Sequence, residues 1–283
     1  MNLQFWFMFP VSIAVAAAAM ASGIEGATFF APIFILVLRL PPNVAIGTGL
    51  ITQVFGVLSG LYAFRQKKLI DYRLGGRLLA VSIPFALVGT WLSTLVDPSF
   101  IRLLLIGALL VLGISYLKPA STISTGVRRR TAAKSQTDRK HCVTTAEGDT
   151  LCYDTGDPTE GRIMAGLGGL SVGMLSSGLG GLNGYFFLRR CGMPAKISVA
   201  TSVYVVAITA LVASSGHVLK LMESGETAGN TVLSLIIFTI PGALIGAQMG
   251  SRVASRIQPA VLERVLGSLF MITALLMAAD LLF

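Results

Sequence analysis

The chain has 283 residues, of which 54% are hydrophobic and only 12% charged, with a mean hydropathy of +0.77. A soluble domain carries about 25% charged residues, so the composition excludes an ordinary soluble protein and predicts an all-α polytopic membrane protein. Long unbroken apolar runs argue against the short alternating strands of a β-barrel. The net charge of +9 comes from Lys and Arg set between apolar segments, the pattern of cytoplasmic loops, so nucleic acid is not an expected partner.

Met1 to Ala21 lacks the positively charged start of a signal peptide, and its apolar run continues past it, so it is expected to be mature structure. Phe5 to Leu40 is too long for one span and is interrupted around Ser22–Thr28. Pro41-Pro42 closes it. Asn43 to Phe64 is the next span, followed by the basic cluster Arg65, Lys67, Lys68, Arg73 and Arg77. Leu78 to Leu95, carrying Pro84, and Phe100 to Leu117 complete the first half.

Lys118 to Gly161 is polar and holds no apolar run able to cross a bilayer. It is expected to be a cytoplasmic linker (118–161) between two membrane units, 1–117 and 162–283. Cys142 to Cys152 has two β-prone arms around Glu147-Gly148-Asp149, which predicts a small hairpin. The three cysteines do not form the pattern of a secreted disulfide framework, and their spacing with His141 fits no standard zinc motif, so no metal and no cofactor is expected.

Ile163 to Leu188 contains the stretch Ser176-Ser177-Gly178-Leu179-Gly180-Gly181-Leu182-Asn183-Gly184. Each Gly in a helix interior costs roughly 1 kcal/mol relative to Ala, so this run predicts a break. A broken helix is tolerated in hydrocarbon only where it is buried in protein or lines a cavity. Ile197 to Leu219, Thr231 to Gly250 with Pro241, and Pro259 to Phe283 follow.

The halves repeat. Pro41–Gly49 lines up with Pro194–Ser202, Ile83–Gly89 with Ile240–Gly246, and Ser22-Gly23 with Ser177-Gly178, in the same order. Loop charge sets the orientation. If Ile163–Leu188 enters, turns at Ser177–Gly184 and returns, then Arg189, Arg190 and Lys196 stay on the cytoplasmic side with Arg65–Arg77. The fold class expected is therefore two inverted repeats, each a broken or re-entrant helical hairpin plus three transmembrane helices. The first hairpin is the less determined, since its arms are long enough to be full spans.

Paired breaks, one per half, are the sequence pointer to a transporter's binding site. A helix restarting at mid-membrane presents free N–H groups and the positive end of its dipole, which suit an anion. Candidate substrate residues at the breaks are Ser22, Gly23, Thr28, Ser177, Gly178, Gly180, Gly181 and Asn183. Thr48, Thr201 and Ser202 occupy matching places in the next spans, where back-bonding to the helix's own carbonyls is an equal alternative. Gln53 and Tyr204 are nearby polar tips. Gly166, Gly169 and Gly173 are read as packing residues. Glu25 is the one carboxylate deep in an apolar segment, a functional candidate by default, and the expected proton-coupling residue. His217 and Asp280 are expected near water at segment ends.

The Gly-rich break in each half, the Pro41–Gly49 and Pro194–Ser202 blocks, the later Pro-x-Ala-Leu-x-Gly and the basic loop together resemble the sulfite exporter TauE/SafE permeases. That resemblance implies a bacterial inner-membrane, multi-pass secondary transporter, an exporter, of small sulfur-containing or organic anions such as sulfite or sulfonates. Glu25, standing between Gly23 and Gly26, departs from the family's usual Gly-rich pattern and argues against a site for anions alone. The expected partners are a small anion, the lipid bilayer and protons, with a homo-oligomer left open. No catalytic residue is expected, because no Walker-type loop is present and Glu25 with His217 makes a poor enzyme site. The alternative is a channel-like or scaffold membrane protein without active transport.

Overall fold

The computed structural model describes residues 5–22, 25–117, 140–223, 226–253 and 259–282. Among these are ten α-helices and one two-stranded hairpin. In chain order they are α1 (Met8–Ser22), α2 (Ala27–Leu36), α3 (Pro42–Gln66), α4 (Tyr72–Leu92) and α5 (Pro98–Leu117). Then come β1 (Lys140–Thr144), β2 (Thr150–Asp154), α6 (Pro158–Leu175) and α7 (Leu179–Tyr185), which runs into a π-helical turn over Phe186–Arg190. The chain ends with α8 (Ala195–Glu223), α9 (Glu226–Val253) and α10 (Pro259–Leu282). The chain is an all-α polytopic membrane protein. Helices α3, α4, α5, α8 and α9 are long and apolar enough to cross a bilayer.

The expected interruptions are present, and the helices flanking them are short. α1 has 15 residues and α2 has 10, about 22 and 15 Å at 1.5 Å per residue. Neither reaches the roughly 20 residues a span needs, although the sequence alone allows two full crossings there. In the second half α6 starts where α7 ends: Glu160 in its first turn pairs with Arg190 at 2.7 Å. The ring of Phe186 also lies against Gly161. The segment therefore turns back to the end it came from.

Packing follows the same plan twice. α6 runs along α4 and α1 along α9, each contact made by glycines at helical spacing. A Cβ on Gly169 would strike the Ser82 carbonyl, and one on Gly173 the Ala86 carbonyl. On the other side, Gly242, Gly246 and Gly250 lie under the carbonyls of Phe9, Ile13 and Ala17. α3 packs on α9 as α8 packs on α4, while α3 meets α8 and α5 meets α10. Two hydroxyl pairs repeat the theme. Ser82, two residues before Pro84, bonds Thr209 at 2.9 Å, and Thr239, two before Pro241, bonds Thr52 at 2.8 Å.

The two ends of the bundle differ. At one end, Arg39 between α2 and α3 and Arg102 of α5 both pair with Asp280 of α10, so that carboxylate has partners rather than water alone. At the other end lies the α3–α4 corner, whose Asp71 is 2% exposed and caps α4 by accepting from the amides of Arg73 and Leu74. The Asp71 amide in turn donates to the Thr201 hydroxyl at 3.0 Å, so the start of α8 sits at this same end. The β1–β2 hairpin covers it. The hairpin turns at Glu147-Gly148-Asp149 as expected, with His141 opposite Tyr153 and Cys142 opposite Cys152. Contrary to the reading from cysteine number and spacing, Cys142 and Cys152 are disulfide-bonded. The basic run Arg128–Arg130 lies outside the described residues.

Candidate functional site

The backbone at the second break is unwound by conformations that only a few residues accept. Ser176 ends α6 in the left-handed region at φ 58°, and Gly178 follows at φ 115°, a region disfavoured for any side chain with a Cβ. The turn exposes the amides that start α7. An acid from the first break meets them. The Glu25 carboxylate, fully buried, accepts from the Gly180 amide at 2.6 Å and the Gly178 amide at 3.1 Å. Each of its oxygens takes one amide, so a side chain of one half caps the broken helix of the other.

The first break is closed differently. The amide of Ala27, first residue of α2, donates to Oε1 of Gln53 on α3 at 2.5 Å. That leaves Gln53 Nε2, a buried donor, with no partner. Gln53 also lines a cavity of about 20 Å³ open to the centre of a water molecule, shared by α1, α2, α3, α8 and α9. That is room for roughly one water.

Around the two breaks, buried polar atoms have been left open. Thr28 Oγ1, Ser176 Oγ, Ser177 Oγ and Asn183 Nδ2 have no hydrogen-bond partner, and neither does Ser202 Oγ on α8. Buried polar groups are normally paired, and an unsatisfied one costs about 1–3 kcal/mol. With Gln53 Nε2 these make six atoms without a hydrogen-bond partner, and among the described residues two more, His141 Nδ1 and Thr145 Oγ1, lie on the hairpin.

The other candidates divide. Gly178 and Gly180 hold Glu25. Gly181 faces Leu112 of α5, a packing contact. Thr48 back-bonds to the Val44 carbonyl at 2.7 Å, and Thr201 is engaged by the Asp71 amide. Tyr204 stacks edge-on with Tyr72 and lies over Gly75 at the start of α4, away from the breaks. Gly23 lies outside the described residues, as does the side chain of Ser22. His217 is not at a water interface: it is 5% exposed, and its Nε2 sits 3.0 Å from the Gly173 carbonyl.

Sequence reasoning passed over Ser176 as a site residue, though it stands in the same Ser-Ser pair as Ser177. It also gave no weight to Asp71, which gathers two amides, the Tyr153 hydroxyl at 2.6 Å and His141 at 3.1 Å. Burial and the adjacent Asp71 charge push the Tyr153 phenol well above its ordinary value. Nearby, burial first and the charges of Asp154, Glu160 and Asp71 second push the Cys191 thiol up to about 12. Among the described residues no group of three or more His, Cys, Asp or Glu side chains is placed to hold a metal.

A comparison with protein families matches residues 8–277 to the model described as Sulfite exporter TauE/SafE. No match is found among curated proteins or solved structures.

Proposed function

The chain belongs to the sulfite exporter TauE/SafE family and is a membrane transporter, and from that premise we propose a proton-coupled secondary transporter of small sulfur-containing or organic anions. Sulfite and sulfonates are the substrates this reading names, and export then runs on the anion's own outward gradient, since a proton carried with it moves against the usual inward one. The observation that carries it is the Glu25 carboxylate held between the Gly178 and Gly180 amides. Those amides already hold an acceptor, and it is the protein's own carboxyl group.

The mechanism follows from that occupancy. Ionised Glu25 fills the amides at the start of α7 and repels a second anion. Protonated Glu25 is neutral and carries a donor, so it holds two N–H groups poorly and frees them for the substrate's oxygens. Ser177, Asn183, Ser202, Thr28 and the free Nε2 of Gln53 then supply neutral hydrogen bonds. Among the described residues no Lys or Arg is buried, so no permanent counter-charge holds the anion back. Proton and anion occupy the site together, and the bilayer-spanning bundle exposes them to alternate sides by rocking of two inverted repeats. The exchanged packing of α1 on α9 and α6 on α4 supports that symmetry. The shared end of Asp71, Thr201, Glu160 and Arg190 supports a cytoplasmic basic face and linker, in a bacterial inner membrane.

The test is flux in proteoliposomes. Sulfite, sulfonates and small carboxylates are offered with and without a pH gradient. The expected result is sulfite or sulfonate flux driven by the gradient. Flux of these anions that ignores the gradient would remove the proton from the mechanism, and flux of none of them would remove the substrate class.

A further inference from the structure

The β1–β2 hairpin has two faces with different jobs. Inward, His141 and Tyr153 stand opposite each other and both reach the buried Asp71 carboxylate. The hairpin turn adds a backbone bond, Ala146 amide to Lys67 carbonyl at 3.1 Å. Outward, the next pair in the register is Cys142 opposite Cys152, and both cysteines are exposed. Alternation along a strand produces this split. The disulfide faces solvent and staples the strands one residue from the pair that grips Asp71.

The grip matters to the rest of the molecule. Asp71 caps α4 through its carboxylate and holds Thr201 of α8 through its amide. Tyr153 is 5% exposed, and Cys191, just after the π-helical turn, is 3% exposed and lies against Gly156, two residues past β2. One small hairpin thus ties α3–α4, the end of α7 and the start of α8 together at one end of the bundle. A two-stranded hairpin by itself is marginally stable in water, so this one depends on its staple and on its Asp71 anchor. Disulfides that form on a cytoplasmic face are transient and redox-sensing rather than permanent, and exposed ones are the labile and regulatory kind.

We propose that the exposed Cys142–Cys152 disulfide is a sulfite-cleavable staple, and that its cleavage releases the hairpin from Asp71 and frees this end of the transporter to open. The sulfur lone pair of sulfite attacks one cysteine sulfur. The Cys142–Cys152 bond breaks, a new sulfur–sulfur bond forms to the sulfonate, and the other cysteine leaves as a thiolate that takes a proton from water. No separate oxidant or reductant is consumed. A dithiol makes the same cut by a different balance: its two thiols are oxidised to a disulfide and both cysteines become thiols. Choosing sulfite as the nucleophile rests on the proposed substrate reading, and the hairpin would then sense the anion that the protein carries.

The experiment uses the full chain purified in detergent, with sodium sulfite as one probe and dithiothreitol as the other. Intact mass counts adducts, and amide hydrogen exchange follows residues 140–154. Sulfite should add one sulfonate per chain and speed exchange of β1 and β2 roughly tenfold, as expected when a local unit loses part of its opening free energy. The double variant C142S/C152S should exchange at that speed from the start and ignore sulfite. An adduct with unchanged exchange would overturn the latch. Opening by dithiothreitol with no sulfite adduct would overturn sulfite as the agent. Neither readout involves transport, so a failure here and a failure of sulfite flux are told apart.

Discussion

The two helix breaks are built on one plan and finished differently. In the first, the restarting helix is capped by an amide side chain from the following span, Gln53 to Ala27. In the second, the restarting helix is capped by a carboxylate from the other half, Glu25 to Gly178 and Gly180. The place on α8 that matches Gln53 on α3, counted from Thr48 and Thr201, is Val206, which has no polar group to offer. One break is thus closed permanently by a neutral group. The other is closed by a titratable acid. Under the proposed function, that difference gives the site one fixed side and one switchable side.

The largest effect should come from removing that difference. Glu25→Gln keeps one carbonyl acceptor but turns an NH₂ group toward the second amide, and it cannot titrate. The dependence of anion flux on pH should collapse toward unity. The loss should be about 5–150-fold, the span of ordinary coupling free energies. Proteoliposome flux at two pH values checks this, and an unchanged pH profile in the variant would end the coupling role.

Next in size are the contacts that hold each hairpin against its partner helix. A Cβ at Gly173 meets the Ala86 carbonyl, and one at Gly246 meets the Ile13 carbonyl. Overpacking of this kind costs about 1–3 kcal/mol. Gly173→Ala and Gly246→Ala should each lower the unfolding temperature in detergent. Gly166→Ala, whose nearest neighbour is a Val81 methyl at 3.5 Å, should be close to neutral.

The neutral cap comes third. Gln53→Leu removes the acceptor of the Ala27 amide and fills part of the small cavity beside it. The unpaired amide should cost about 1–3 kcal/mol in thermal stability. Flux should keep its pH dependence, because Glu25 is untouched. If that dependence vanished, the two breaks would be coupled through more than the carboxylate.

Much of this was legible in the sequence, and the reasons differ by feature. Gly-rich runs fix the breaks because glycine's cost inside a helix is local. The return of α6–α7 was readable from Arg189, Arg190 and Lys196, since loop charge reports the side of the membrane. The packing role of Gly169 and Gly173 follows from small residues at helical spacing. That Glu25 reaches Gly180 was not readable, because it joins positions 155 apart through a tertiary fold that no local pattern encodes. The latch of Tyr153 on Asp71, 82 residues apart, escaped for the same reason. The disulfide could have been found: Cys142 and Cys152 lie equally far from the Glu147 turn, so the predicted hairpin register already faced them. Counting cysteines by compartment hid a pairing that strand geometry supplied. His217 was misplaced because helix α8 runs past the level where its apolar pattern suggested an end, carrying the ring to the Gly173 carbonyl.

The smallest effect is the sharpest test of where the halves are alike. Ser82 with Thr209 and Thr239 with Thr52 are matched hydroxyl pairs, each linking a proline-bearing helix to a span of the other half. Hydrogen bonds between membrane helices average about 0.6 kcal/mol in double-mutant cycles. Ser82→Ala against Thr209→Val, and Thr239→Val against Thr52→Val, should each return a coupling of about that size. Near-equal couplings would confine the asymmetry of the molecule to its two breaks. A coupling of about 2 kcal/mol in one pair and none in the other would mean that the difference spreads along the helices, and Glu25 would then be one part of a wider divergence rather than its centre.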